Sequence, residues 1–227
     1  MAHHALRRVK PLTYVWIALA LILSLVPIYM TVITALKARA EINLTTAWRP
    51  PSRAHFQSFA DALDLLLPSL TNSLVLTITA TVLSAFLGSI NGFVFSKNRF
   101  RGSEIIFTLF LFGMFIPDSI VESARLDGAG FFSLYFRMFI PLSGSGFVVV
   151  GIWQFTQIWN EFLWGVTLTR QSSQPVTVGL AQLAGGQAVS WNLPMAGSIL
   201  ASIPVLIVYI ALGRYFIRGL LASSVKE

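Results

Sequence analysis

Residues Leu12–Leu36 read LTYVWIALALILSLVPIYMTVITAL, 25 residues without a charged side chain. As a helix this stretch is about 37 Å long at 1.5 Å per residue, enough to cross a bilayer core of about 30 Å. Arg7, Arg8 and Lys10 precede it and Lys37 follows. A cleaved signal peptide has a shorter apolar core and a small-residue cleavage site, so the run reads as a retained span, kinked at Pro27, with a cytoplasmic N-terminus.

The same pattern recurs. The 227 residues are 55% apolar and only 11% charged, against about 25% charged in an ordinary soluble domain. Uncharged runs separate Lys10 from Lys37, Asp64 from Lys97, Arg137 from Glu161 and Arg170 from Arg214. These mark an all-α polytopic transmembrane bundle with spans near 12–36, 70–95, 139–158 and 195–217. Between the first two, residues 37–64 form a polar outer loop whose HFQSFADALDLLL stretch is predicted to lie on the membrane surface. In the second span, Ser84, Gly88 and Gly92 at four-residue spacing predict close helix packing. Residues 170–194 read as a polar outer loop.

Topology fails at one point. Ile105–Pro117 is an apolar run of 13 residues, about 20 Å, which is too short to cross. It is followed directly by the charged stretch Asp118–Arg137, which belongs on the side that Lys97, Arg99 and Arg101 already occupy. Returning to the same side needs an even number of crossings. A re-entrant hairpin would restore parity, but the run offers only Gly113 and Pro117 for its turn. The favoured reading is that residues are omitted between about Phe115 and Ser119, where they would complete this span, an outer loop and a further span.

The chain has no cysteine, so it carries no disulfide framework and no thiolate site. Its histidines, His3, His4 and His55, lie in polar flanks, and no metal or catalytic constellation is visible. The net charge of +7 is divided among short segments between apolar runs, which argues against nucleic acid. Eleven basic residues fall on the inner side and five (Lys37, Arg39, Arg49, Arg53, Arg170) on the outer, the bias expected with both termini cytoplasmic.

Glu122–Pro141 reads ESARLDGAGFFSLYFRMFIP. Its amphipathic character, with Gly128 interrupting it, suits a helix-turn-helix that leaves Glu122 and Asp127 exposed. Phe131, Phe132, Leu134 and Phe136 would bury against a partner or the membrane interface. This stretch resembles the EAA signature of ABC importer permeases: Glu122, Ser123, Ala124, three residues, Gly128, nine residues, then Met138, Phe139, Ile140 and Pro141. Ser123, Met138 and Ile140 depart conservatively from the pattern. Trp159–Trp164, Ser173–Thr177 and Gly213–Leu220 extend the resemblance to the maltose-related carbohydrate-uptake permeases, with the glucose/mannose-type members nearest in appearance.

The resemblance implies a type I permease with six spans, of which about four and a half are visible here. It implies one permease domain over 1–227, with residues 118–141 as a cytoplasmic loop coupled to an ATPase through Glu122, Ser123, Ala124, Asp127, Gly128 and Pro141. A second permease subunit, an ATPase dimer and an external sugar-binding protein would complete the assembly in the bacterial inner membrane. No cofactor is expected on this chain, which has no GxxxxGK[ST] phosphate loop; ATP and Mg would sit on the partner ATPase. The chain itself is therefore not expected to be an enzyme.

A neutral sugar needs amide partners and an aromatic face in an apolar setting. Asn72, Asn91, Gln154, Gln157, Trp159, Asn160 and Glu161 are the candidates, although interface anchoring weighs ahead of sugar contact for each. A proton-coupled transporter would carry ionisable relays inside its spans, and none is present. A membrane assembly or scaffold protein without a transport role is the alternative.

Overall fold

Length and apolarity determine which segments become long helices. The computed structural model describes residues 11–97, 130–142, 144–185 and 189–224. Among these, regular structure is entirely helical: α1 (Pro11–Ala35), α2 (Gln57–Lys97), α3 (Phe131–Leu134), a π-helical turn (Tyr135–Phe139), α4 (Ile140–Leu142), α5 (Gly144–Trp159), α6 (Leu163–Leu168), α7 (Val176–Ala184) and α8 (Asn192–Ser224). Among the described residues, three helices are long and apolar enough to cross a membrane: Leu12–Ala35, Gln57–Val94 and Asn192–Tyr215. Their apolar side chains stay largely uncovered, Trp16 at 64% and Ile210 at 81% exposure, as suits faces meeting lipid or partner helices.

Three expectations change. The stretch expected on the membrane surface is helical and continuous with the rest of α2, which runs 41 residues through Pro68. Proline removes one backbone hydrogen bond, but Ala62, Leu66 and Leu70 continue one buried stripe on either side of it. The span expected over 139–158 forms as the 16-residue α5, set off from the segment before it by Pro141 and the π turn. The polar loop 170–194 contains a 3-10 turn, Gln171–Ser173, and the nine-residue α7.

The chain divides into two compact units. The first comprises the described residues up to Pro68 together with Val178–Ser202. Its core is made of the smallest side chains, with Ala35, Ala62 and Ala196 fully buried beneath Phe59, Leu193, Met195, Ile199 and Leu200. At Gly197 a Cβ would fall 2.8 Å from Leu66 Cδ1 and 3.0 Å from Leu180 Cδ2, so only glycine fits without displacement. Lys37, which ends the first apolar run, is only 2% exposed. Its Nζ donates to the carbonyls of Thr46 (2.7 Å) and Ala47 (3.1 Å), drawing that loop over the end of α1. Tyr29 Oη secures the same loop by donating to Trp48 O at 3.0 Å.

The second unit comprises Ser69–Thr177 and the chain from Ile203 onward. Its core is aromatic: Phe93, Leu134, Tyr135 and Phe139, packed with Ile90, Met138 and Ile140. Of the small-residue step on α2, Ser84 Oγ lies 3.5 Å from Gln154 Nε2 on α5, whereas Gly88 is exposed and, among the described residues, nothing lies within 4 Å of a Cβ placed there.

Candidate functional site

Polar side chains in an apolar setting bond to the nearest backbone group, and three of the seven sugar candidates do so. Asn72 Nδ2 donates to Ser172 O (3.1 Å) and Gln174 O (3.3 Å), holding the turn before α7. Its neighbour Ser73 accepts the Val176 N–H at 2.7 Å, satisfying one of the open donors at the α7 N-terminus. Glu161 Oε1 accepts the Trp164 N–H at 3.1 Å at the start of α6, and Glu161 O accepts Thr177 Oγ1 at 2.7 Å. Asn160 Nδ2 folds back to Thr156 O at 2.8 Å. Trp159, at 3% exposure, stacks on Phe155 with centroids 5.8 Å apart and planes 8° apart, and so offers no open face.

Four candidates, Asn72, Trp159, Asn160 and Glu161, thus build the corner that links α5, α6 and α7. Gln154 lies elsewhere, half-buried with Nε2 3.5 Å from Ser84 Oγ, while Gln157 and Asn91 are exposed. The seven do not converge on one pocket. None lines the 340 Å³ cavity of the first unit, bordered by Lys37, Asn43, Trp191 and Met195 among others. Among the described residues, no group of three or more metal-ligating side chains occurs.

Two features were not anticipated. Ser73, Thr77, Thr81 and Ser84 form a hydroxyl stripe on one face of α2, their spacing of four, four and three residues being helical. Thr77 is fully buried, and among the described residues the Thr77 and Thr81 hydroxyls have no hydrogen-bond partner. The spacing is legible in the sequence, although no amide or aromatic side chain marks it.

The second feature is the end of the expected coupling loop. Glu122, Ser123, Ala124, Asp127 and Gly128 lie outside the described residues. Pro141 is described, on α4 just past the π turn, whose Ile140 N–H reaches back five residues to Tyr135 O. Proline at 141 lacks an N–H, and in a regular α-helix its ring would crowd the Arg137 carbonyl; a wider turn ahead of it relieves that conflict. The buried face also differs from expectation. Leu134, Tyr135 and Phe139 are inside, whereas Phe132 and Phe136 are 72% and 51% exposed.

With this geometry in place, comparison with known proteins is informative. The family described as the binding-protein-dependent transport system inner membrane component matches residues 105–221, just over half the chain, including the whole Glu122–Pro141 frame. The chain belongs to this family. A probable ABC transporter permease of Pyrococcus horikoshii is 47% identical over 112 residues, 49% of this chain and 41% of that protein. The glucose import system permease GlcU of Saccharolobus solfataricus is 26% identical over 267 residues, 93% of each chain. The xylose/arabinose import permease XacI of Haloferax volcanii is 26% identical over 287 residues, covering 95% of this chain and 92% of that protein. A solved bacterial ABC transporter involved in importing the acidic polysaccharide alginate superposes with a TM-score of 0.78 over 90% of this chain and 95% of its own, at 18% identity. The all-α permease fold is thereby established, and membership of a transport family disfavours the scaffold reading.

The alignment lengths bear on the parity failure. A 267-position alignment to GlcU that uses 93% of a 227-residue chain, about 211 residues, leaves about 56 positions of GlcU without a counterpart. The P. horikoshii match, 112 positions from 49% of the chain, has almost no such surplus.

Proposed function

We propose that this chain is the permease subunit of an ATP-driven, binding-protein-dependent sugar importer, forming half of a translocation path through the cytoplasmic membrane. The observation that carries the reading is the Glu122–Pro141 frame, a twenty-residue spacing that falls inside the family match. In this reading the EAA-like segment 118–141 docks on a cytoplasmic ATPase through Glu122, Ser123, Ala124, Asp127 and Gly128, and Pro141 marks entry to the next helix. A second permease completes the path, an external binding protein delivers the sugar, and ATP and Mg are held by the ATPase. Both termini face the cytoplasm. The shortfall relative to GlcU is assigned to the neighbourhood of residues 115–119.

Sugar as the substrate class is supported by relatives named for glucose and for xylose and arabinose. Glucose/mannose specificity and kinship with the maltose system are the finer form of this proposal. The test is detergent extraction of the complex followed by reconstitution with its binding protein and labelled glucose, mannose, xylose and maltose. The expected result is an ATPase subunit in the complex and ATP-dependent uptake of a monosaccharide, abolished by Gly128→Trp. A complex without ATPase, or one indifferent to Gly128→Trp in both assembly and uptake, overturns the proposal.

A further inference from the structure

Tyr135 is the one polar side chain of the aromatic core in the second unit. Its hydroxyl hydrogen-bonds Ser89 Oγ on α2, and Ser89 Oγ in turn donates to Phe86 O at 3.2 Å. With the serine proton committed to that carbonyl, the tyrosine O–H is the donor to Ser89. The rings on either side secure the same contact. Phe93 lies 5.5 Å from Tyr135 and 5.2 Å from Phe139, and Phe86 meets Tyr135 edge-on at 6.3 Å. Phe86, Ser89 and Phe93 share one face of α2, so the π turn is held there at three successive levels. Tyr135 is 2% exposed, and its hydroxyl would be costly to bury without this acceptor.

We infer that the Tyr135–Ser89 hydrogen bond is the positioning contact that passes movement of the 118–141 segment to α2. The inference deepens the proposed function and rests on it. Its physical basis is a division of labour. The rings supply adhesion, which tolerates sliding because stacking and edge contacts vary slowly with offset. The hydroxyl supplies register, because a hydrogen bond is lost within a few tenths of an ångström and a few tens of degrees. The π turn contributes by setting Tyr135 and Phe139 on one side together, their planes 18° apart, both against Phe93. A displacement of the segment that kept only the aromatic contacts would slip along α2. With the hydroxyl engaged, α2 must follow.

Tyr135→Phe retains every ring contact and removes only the register bond, and Ser89→Ala removes it from the other side. Each is introduced into the complete transporter in proteoliposomes with its binding protein, and sugar uptake and ATP hydrolysis are measured in the same vesicles. Both variants are expected to assemble and hydrolyse ATP, with sugar imported per ATP reduced about fivefold, the ratio that loss of one neutral buried hydrogen bond allows. The double variant is expected to be no worse than either single one. An unchanged uptake-to-ATP ratio in Tyr135→Phe overturns the inference. So does a double variant whose loss is the product of the singles. Uptake and hydrolysis falling together at constant ratio, with a lowered unfolding temperature, would show Tyr135 to be structural only and also overturns it. If Tyr135→Phe fails to assemble, Ser89→Ala carries the same ratio test. A wild-type complex without an ATPase would sink the functional proposal itself, an outcome distinct from an unchanged ratio in an ATPase-containing complex.

Discussion

The two units solve the problem of joining helices in opposite ways. In the first, Ala35, Ala62 and Ala196 are fully buried, and a carbon added at Gly197 would press on the Cδ atoms of Leu66 and Leu180, whose side chains would have to shift. In the second, Phe93, Tyr135 and Phe139 fill a wider gap with rings and a single hydroxyl contact to α2. A small-residue junction is rigid because any displacement makes atoms collide. An aromatic junction can be reseated, since rings keep favourable contact over a range of offsets. The difference teaches that fixed and movable joints can be told apart by side-chain size.

The largest test of this contrast is Phe93→Ala. Removing a ring at 2% exposure from the centre of the aromatic junction should cost about 3–5 kcal/mol, read as a lowered midpoint for thermal unfolding in detergent. A loss well under that range would mean that the cluster does not hold the π turn. Next comes Gly197→Leu, where overpacking against Leu66 and Leu180 should cost about 1–3 kcal/mol by the same assay; a neutral result would remove the claim of rigidity. Ser73→Ala belongs to neither junction and calibrates both. It strands the buried Val176 N–H and should cost about 1 kcal/mol, with faster proteolysis between Gln171 and Val176 as the local sign. Smallest is Gly88→Ala, which should stabilise α2 by about 0.5–1 kcal/mol because, among the described residues, nothing lies within 4 Å of the new methyl. Destabilisation in the assembled complex but not in the isolated chain would identify Gly88 as a contact for another subunit.

The long helices were legible because bilayer length and apolarity are properties of contiguous residues. Leu12–Leu36 is enough to show this. Family membership was legible in Glu122–Pro141 for a related reason, since its spacing is measured along the chain. What could not be read depended on partners distant in sequence. Nothing near Gly197 signals that Leu66 and Leu180 converge on it, whereas in the conspicuous Ser84-Gly88-Gly92 step Gly88 is uncovered among the described residues. The sugar candidates were selected for being polar, yet Glu161 became structural because α6 begins with a backbone donor in need of an acceptor, and Asn72 because the Ser172 and Gln174 carbonyls take its amide protons. The π turn ahead of Pro141 was not anticipated, and which ring it buries depends on Phe93.

Lys37 carries a last consequence, for ionic strength. An exposed cation such as Arg39 loses its reach as salt shortens the Debye length to about 8 Å under physiological conditions. The Lys37 ammonium is 2% exposed and faces two carbonyl dipoles, so no mobile counter-ion stands between it and its partners. Added salt has almost nothing there to screen. The loop through Thr46 and Ala47 should therefore hold its shape from dilute buffer to brine, while the charges on its surface fade from view.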